Sequence, residues 1–136
     1  MMETRGERNR NPGNIDRNAT AWQGLAPVQS DSRFCVFNRP EDGIRALCKV
    51  LLSYYRKHGL KTVTGIVNRW APPVENDSGA YIAHVSRILG VGEDAVIDVE
   101  DPLILESLAR AIILHENGRC IYDDATIVKA VDMALE

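Results

Sequence analysis

The sequence predicts a single all-α or α-dominated domain, and three observations support this fold class. The chain has 136 residues, of which 45% are hydrophobic and 26% charged, so residues 1–136 should form one globular domain with no room for a second full-sized core. Apolar residues recur at helical spacing in five segments after residue 39. Each segment is bounded by the capping residues, prolines and glycines that begin and end helices.

The first 33 residues are predicted to be turns and irregular backbone, because they are rich in Asn, Arg, Gly and Pro and show no apolar period. Residues 8–15, with the sequence RNRNPGNI, concentrate turn formers and side-chain amides. Residues 33–37 are expected to be an extended, strand-like piece. Trp22 and Phe34 should fold this segment back onto the core, whereas residues 1–6 are expected to be loose.

Five helices with recognisable start and stop signals are predicted after this segment. In the first, Asn38 is the expected N-cap and Glu41 completes a capping box. Ile88 and Val128, in later helices, are expected to face the core. The predicted boundaries are Pro40 to about His58, a short helix capped by Thr62 or Thr64 and ended by Pro72, residues 78–89 capped by Asn76 or Asp77, Pro102 to residues 115–118, and a last helix from Asp123 or Asp124.

Charge is distributed unevenly between the two halves of the chain. Residues 1–70 contain twelve Lys and Arg against six Asp and Glu, whereas residues 71–136 contain four against thirteen. This asymmetry is typical of a basic face for an anionic polymer, either nucleic acid or bacterial cell wall, but also of two halves that pair within one fold. No stretch reaches the roughly 18 apolar residues of a membrane span, and the first residues form no apolar signal-peptide core.

The three cysteines, Cys35, Cys48 and Cys120, indicate neither a metal site nor a redox site. They are odd in number, form no CxxC pair and lack histidines at zinc-site spacing. We therefore expect small apolar fillers in a reducing compartment, and neither a metal nor a cofactor. The sequence also contains no phosphate-binding loop, dinucleotide-binding loop, nucleophile elbow or metalloprotease motif.

Glu116 is the strongest catalytic candidate, because it ends a predicted helix whose preceding turns are nearly all apolar. A helix C-terminus and apolar surroundings disfavour an ionised carboxyl, and a protonated carboxyl can act as a general acid. The alternative is a solvated residue of a fraying last turn. Glu75 could face Glu116 across a cleft, as paired carboxyls do in glycoside hydrolysis. Glu7, which precedes the Asn-rich loop, is either another acid or an ordinary exposed charge.

Amide and aromatic side chains are candidates for holding sugar rings and their N-acetyl groups. Each has a plain structural alternative, since amides also cap helices and turns and aromatic rings also fill cores. His115 is expected to be structural, because adjacent helix positions point about 100° apart and do not pair it with Glu116. The candidate binding residues are Asn9, Asn11, Asn14, Trp22, Trp70, Asn76, Asp77, Tyr81, Asn117 and Tyr122.

Several blocks of the chain resemble a family of bacteriophage and prophage proteins described as virion or structural proteins. The first is RGERNRNPGNI at residues 5–15, followed by WQG at 22–24, FCVF at 34–37 and PEDGIRA at 40–46. Further blocks are NRWAPPVEND at 68–77 and LARAIILHENG at 108–118. The resemblance covers almost the whole chain and implies a location in the phage particle more than it implies a chemistry.

Residues 111–118, with the sequence AIILHENG, also resemble the helix of lysozyme-like glycosidases and lytic transglycosylases that ends in a catalytic Glu. The Asn-rich turn at 11–15 and the pair Phe34 and Phe37 look like the elements that follow this helix in those enzymes. Here the Glu-bearing helix comes after them, so the resemblance implies a circularly permuted lysozyme-like domain. It also implies Glu116 as general acid and peptidoglycan glycan strands as substrate.

Three functions follow from these observations. The first is a peptidoglycan glycosidase, and the second is a non-catalytic virion protein that keeps a lysozyme-like fold and binds other virion proteins. Nucleic-acid binding is disfavoured by the net charge of −3 and the lack of a known module, and it would use Arg5, Arg8, Arg10 and Arg17. We expect synthesis in the bacterial cytoplasm and action in the periplasm, at the cell wall or within a virion.

Overall fold

The computed structural model describes residues 2–74 and 76–136 and shows an all-α domain, which confirms the predicted fold class. Six helices are present in these residues, one more than predicted, and there is no strand among them. None of these helices is long and apolar enough to cross a membrane. The helices are α1 (Arg5–Arg8), α2 (Pro40–His58), α3 (Val63–Trp70), α4 (Ser78–Leu89), α5 (Pro102–Asn117) and α6 (Asp124–Leu135).

Local capping explains why the later helices begin and end where they were predicted to. α2, α4 and α5 each end at a glycine with a positive φ, in the left-handed backbone region. Most other residues would be strained there because of their β-carbon. Four of the later helices, like α1 with its N-cap Thr4, begin with a side chain that accepts a backbone N–H of the first turn. These capping side chains are Thr62, Asp77, Asp101 and Asp123.

Several details of the prediction are wrong. Arg39, rather than Asn38, is the N-cap of α2, no side chain caps this helix, and the predicted capping box with Glu41 does not form. The Asn38 amide donates instead to the carbonyl of Leu25. Ile88 and Val128 are 39% and 42% exposed instead of buried. Neither belongs to the core cluster, to which α4 contributes Tyr81, Ile82 and Val85 and α6 contributes Ile127 and Val131.

The core is built around α2 and α5. α2 packs most extensively against α6, and α5 contacts α2, α4 and α6. The largest fully buried side chains include Leu47 and Leu51 of α2 and Leu108 and Ile112 of α5. α5 is therefore enclosed on several sides, and this packing holds its C-terminal end in a fixed position.

The N-terminal segment is irregular apart from α1, which was not predicted, and it is fastened to the other helices. Phe34 and Phe37 each form an isolated antiparallel bridge, with Asp16 and Leu25 respectively, and no regular strand results within the described residues. A β-carbon on Gly43 would overlap the carbonyl oxygen of residue 10, so a glycine here lets the segment lie directly on the first turn of α2. This close approach positions the Asn-rich turn beside the helices.

Cys35 and Cys48 occupy the apolar core as small side chains. Cys35 and Cys48 are buried in the core, Cys120 is partly buried, and all three are free thiols. Burial raises the pKa of the Cys48 thiol to about 12, so this group stays neutral.

Candidate functional site

A cleft of about 350 Å³ opens where the N-terminal segment meets α2, α3 and the C-terminal end of α5. Its volume falls within the usual range for small-ligand sites. The walls combine aromatic rings with amides and charged groups. The lining residues are Gly13, Asn14, Ile15, Asp16, Asn18, Arg33, Phe34, Val50, Tyr54, Trp70, Ala71, Pro72, Asn76 and Glu116.

Glu116 reaches this cleft from the last turn of α5. Its side chain is half-buried, and both carboxylate oxygens accept a hydrogen bond. Oε2 accepts the hydroxyl of Tyr81 at 3.2 Å, and Oε1 accepts the side-chain amide of Asn14 at 3.4 Å. Two donors from two different parts of the chain fix the orientation of the carboxylate.

Tyr81 connects Glu116 to the interior of the domain. It belongs to α4 and is 2% exposed, and the side chain of Trp70 hydrogen-bonds its hydroxyl. Burial, followed by the charge of the Glu116 carboxylate, raises the pKa of Tyr81 far above its usual value. The hydroxyl therefore remains a donor to Glu116 throughout the physiological pH range. The structure places Tyr81 behind Glu116, and the cleft lining does not include it.

His115 stacks on the ring of Tyr81, with ring centroids 3.7 Å apart and planes inclined by 21°. Its Nδ1 lies 3.2 Å from the Nδ1 of His84 on α4. Burial, and then the nearby charge of His84, lower the pKa of His115, which favours the neutral ring. The ring thus packs against Tyr81 as a structural element, in agreement with its predicted role.

Asn14 has an uncommon backbone conformation beside Glu116. Its φ is +51°, in the left-handed region that Asn tolerates better than most residues. Its Oδ1 is buried and has no hydrogen-bond partner among the described residues. A β-carbon on Gly6 would lie within 3.1 Å of three oxygens: this Oδ1, the carbonyl oxygen of Asn11 and the Oδ1 of Asn117. The lack of a side chain at Gly6 therefore leaves space beside these three hydrogen-bond acceptors.

Glu7 forms a buried ion pair and does not line the cleft. Its side chain is 1% exposed. Arg119 donates to its two oxygens at 2.6 and 2.9 Å, and the backbone N–H of Thr4 donates at 2.9 Å. The Arg119 guanidinium holds the pKa of Glu7 below its usual value. The pair fastens the N-terminal segment to the chain that follows α5 and keeps Glu7 ionised at neutral pH.

The remaining predicted site residues fall into two groups. Asn14, Trp70 and Asn76 line the cleft with Glu116, whereas Glu75 lies outside the described residues. The predicted binding residues that do not line the cleft are Asn9, Asn11, Trp22, Asp77, Tyr81, Asn117 and Tyr122.

Hydrogen bonding accounts for several amides in the second group. The buried Asn11 amide donates to the carbonyls of Ile15 and Cys35, and it accepts the N–H of Ile15. The Asn117 amide donates to the carbonyl of Pro12 at 2.8 Å, which ties the end of α5 to the Asn-rich turn. Asn9 donates to the buried carboxylate of Asp31. These amides satisfy the backbone of an irregular segment.

Five polar or aromatic residues of the cleft were not among the predicted site residues: Asp16, Asn18, Arg33, Phe34 and Tyr54. Asp16 is the other carboxylate that lines the cleft within the described residues, and it pairs with Arg33 at 3.2 Å. Asp16 directly follows the NPGNI turn, which also contains Asn14. This proximity in sequence to a predicted site residue is the signal that could have identified Asp16 as part of the cleft.

The cleft combines a half-buried carboxyl, an exposed carboxylate and three aromatic rings. Trp70 and Tyr54 supply faces against which sugar rings can stack, and Asn76 supplies an amide. Within the described parts of the chain, no group of three or more His, Cys, Asp or Glu side chains is arranged to hold a metal ion. The polar groups that line the cleft can donate and accept hydrogen bonds and stabilise charge.

Comparison with known proteins gives one match of high coverage. No protein-family profile matches the chain. Over 132 residues, 94% of this chain, the sequence is 35% identical to protein P5 of Pseudoalteromonas phage PM2, and the match covers 80% of that protein. Identity at this level over nearly the full length establishes a shared family.

Proposed function

The chain belongs to the family of protein P5 from Pseudoalteromonas phage PM2, and from this premise we propose that it is a phage or prophage peptidoglycan glycosidase with Glu116 as general acid. The reaction is that of a lysozyme or of a lytic transglycosylase. The substrate is the glycan strand of the cell wall, which the protein reaches within a virion or after release. Other virion proteins are its expected partners.

The position of Glu116 is the observation that carries this proposal. A half-buried carboxyl at a helix C-terminus, oriented from two sides and open to a cleft, is the arrangement that protonation of a glycosidic oxygen requires. A transglycosylase needs only this acid, because a hydroxyl or acetamido group of the sugar captures the developing cation. In a hydrolase, Asp16 is the described carboxylate that would orient water or stabilise that cation.

The packing of the chain's N-terminal segment supports the lysozyme-like comparison. In the permuted arrangement, the Asn-rich turn must lie against the end of the Glu-bearing helix. Thr4 donates to Asn117 Oδ1 at 2.7 Å, and the Asn117 amide donates to Pro12, so residues more than 100 positions apart meet there. This contact brings together the two blocks that resemble consecutive elements of lysozyme-like enzymes.

The test is mass spectrometry of the muropeptides released from purified peptidoglycan by the wild-type protein and by Glu116→Gln. The substitution keeps the shape of the side chain and removes the acid, so product formation should fall by roughly 100-fold or more. Reducing-end products identify a hydrolase and anhydro products identify a transglycosylase. Cleavage that survives in Glu116→Gln would refute the assignment of the acid.

Glu106→Gln is the matched control. Glu106 lies on the same helix, pairs with Arg110 and does not line the cleft. Its substitution should leave the products unchanged. Asp16→Asn separates the two reaction types, because it should impair addition of water in a hydrolase and have little effect on an enzyme that uses one acid.

A non-catalytic virion protein is the second candidate. The observation that favours it is the pair of donors on Glu116, since hydrogen bonds from Tyr81 and Asn14 already engage both oxygens that a substrate would have to reach. Glycan that stays intact with the wild-type protein, under conditions where a known lysozyme cleaves it, would support this candidate.

A further inference from the structure

The outer face of α2 carries positively charged side chains that the proposed reaction does not use. These positions recur at intervals of three and four residues, so they come from successive turns and project to one side of the helix. They surround a second hollow, of about 220 Å³, which is lined by Lys49, Leu52, Ser53, Arg56 and Lys57. We name its three cations, Lys49, Arg56 and Lys57, the basic face of α2.

Most of the charge on the basic face is not neutralised within the described residues. Arg56 pairs with Glu100 at 2.7 Å, whereas Lys49 and Lys57 form no ion pair there. Three cations and one carboxylate leave a net charge of +2. Cations in a last turn stabilise the C-terminus of a helix, which accounts for Arg56 and Lys57. This effect does not extend to Lys49, which lies more than two turns before the end of α2.

The basic face borders the cleft that contains Glu116. Val50 and Tyr54 of α2 line that cleft. Lys57 follows Val50 by seven positions, so the two residues point within about 20° of each other around the helix, and Lys57 lies about 4.5 Å beyond Tyr54 along the axis. The guanidinium of Arg69 lies over the ring of Tyr54, 5.3 Å from its centroid. A ligand that leaves the cleft past Tyr54 therefore meets positive charge.

Peptidoglycan has the charge distribution that this surface fits. The N-acetylated rings of its glycan strand are uncharged, whereas the peptide stems attached to alternate sugars carry free carboxylates. An extended peptide of four residues spans about 13 Å. Tyr54 and Lys49 are only about 7.5 Å apart along the axis of α2. A stem that begins at a sugar stacked on Tyr54 is therefore long enough to reach all three cations.

We propose that the basic face of α2 binds the carboxylates of the peptide stems that branch from the strand in the cleft. The proposal rests on the proposed function, because its premise is a glycan strand in that cleft. Nucleic acid is another polyanion that suits a basic face. Its phosphates would bring negative charge toward Asp16 and Glu116 wherever the chain crossed the cleft. Stems instead place their charge beside the cleft and leave the strand inside it neutral.

The experiment is sedimentation of the protein with purified, insoluble peptidoglycan, in a Glu116→Gln parent so that the glycan is not cleaved. Lys49→Gln with Lys57→Gln removes two charges and keeps residues that favour a helix, and it should weaken binding to intact peptidoglycan about fivefold to tenfold. Once an amidase has removed the stems, this lysine variant and the parent should bind equally. Arg87→Gln with Lys129→Gln is the matched control, because it changes the net charge equally outside the cleft and the hollow.

Equal binding of the lysine variant and the parent to intact peptidoglycan would overturn the proposal, as would failure of the parent to sediment with it. A loss that persists after removal of the stems would also overturn it, because the lysines would then recognise something other than stems. Duplex DNA that binds the parent and not the lysine variant, with peptidoglycan binding unchanged by the amidase, would assign the basic face to nucleic acid instead.

The binding assay and the muropeptide assay fail independently. Stem-dependent binding by a wild-type protein that releases no muropeptides would refute the glycosidase and leave the basic face as a stem-binding surface. Muropeptide release by a protein whose binding does not depend on the stems would refute the role of the basic face and leave the glycosidase in place.

Discussion

Replacement of Arg119 by methionine should destabilise the domain far more than neutralisation of its partner Glu7. The substitution removes the N–H groups that reach both oxygens of a carboxylate whose side chain is 1% exposed. Only the backbone N–H of Thr4 then remains among the described donors to Glu7. A buried charge left without its counter-charge typically costs about 3–5 kcal/mol. Because a domain of this size is stable by about 5–15 kcal/mol, the loss should be large.

Substitution of the other member of the pair, Glu7→Gln, should lower the free energy of unfolding by only about 1–2 kcal/mol. The side chain of Arg119 is 30% exposed, so water can solvate the guanidinium after the carboxylate is gone, and glutamine can still accept one hydrogen bond. The double variant Glu7→Met with Arg119→Met should be less destabilised than Arg119→Met alone, since it leaves no buried charge.

Urea denaturation monitored by circular dichroism measures these free energies of unfolding. The pKa of Glu7 is lowered in the folded state from its usual value of 4.5. The stability from the pair is therefore present above that value and is lost as pH falls through the folded-state pKa, so the penalty for Arg119→Met should shrink in acid. A penalty below about 1 kcal/mol at pH 7, or a greater penalty for Glu7→Gln, would refute the assigned role.

Replacing Tyr81 by phenylalanine keeps the stack on His115 and removes the donor that orients Glu116, so it should cost about 1 kcal/mol in urea unfolding and lower the rate of glycan cleavage. An unchanged rate would contradict the role assigned to the hydroxyl. Replacing His115 by glutamine should flatten the loss of stability between pH 7.5 and 5. The pKa of His115 is lowered in the folded state, so its stabilisation is complete above its usual value of 6.5 and is lost below it. Equal slopes in the two proteins would exclude this contribution.

The helices were predictable because their signals are local. A capping residue such as Asp101 and a terminal glycine such as Gly118 lie next to the helix they bound, and an apolar stripe repeats within a dozen residues. The wrong N-cap of α2 shows the limit of such signals. Asn38 bonds the N-terminal segment in preference to its own helix, and this tertiary contact leaves no trace in the sequence around residue 38.

The partners of Glu116 were not predictable in the same way. Its position came from the end of an apolar helix, but Tyr81 is 35 residues away and Asn14 is 102 residues away. Neither distance corresponds to a period or a motif. Asp16 was missed because one carboxylate after a turn looks like any exposed acid until the turn is placed against α5.

The Asn-rich turn shows why composition alone cannot assign a role to an amide. Asn11 and Asn14 look alike in the sequence, yet the Asn11 amide uses both its oxygen and its nitrogen on backbone groups, as an irregular segment without a ladder of its own requires. Asn14 differs, because its backbone is left-handed and its side-chain amide donates to Glu116 while its oxygen has no partner among the described residues. Amides in this turn therefore serve different purposes. Asn11 satisfies backbone groups, whereas Asn14 is incompletely satisfied and lies next to Glu116, the carboxyl proposed to act as the general acid.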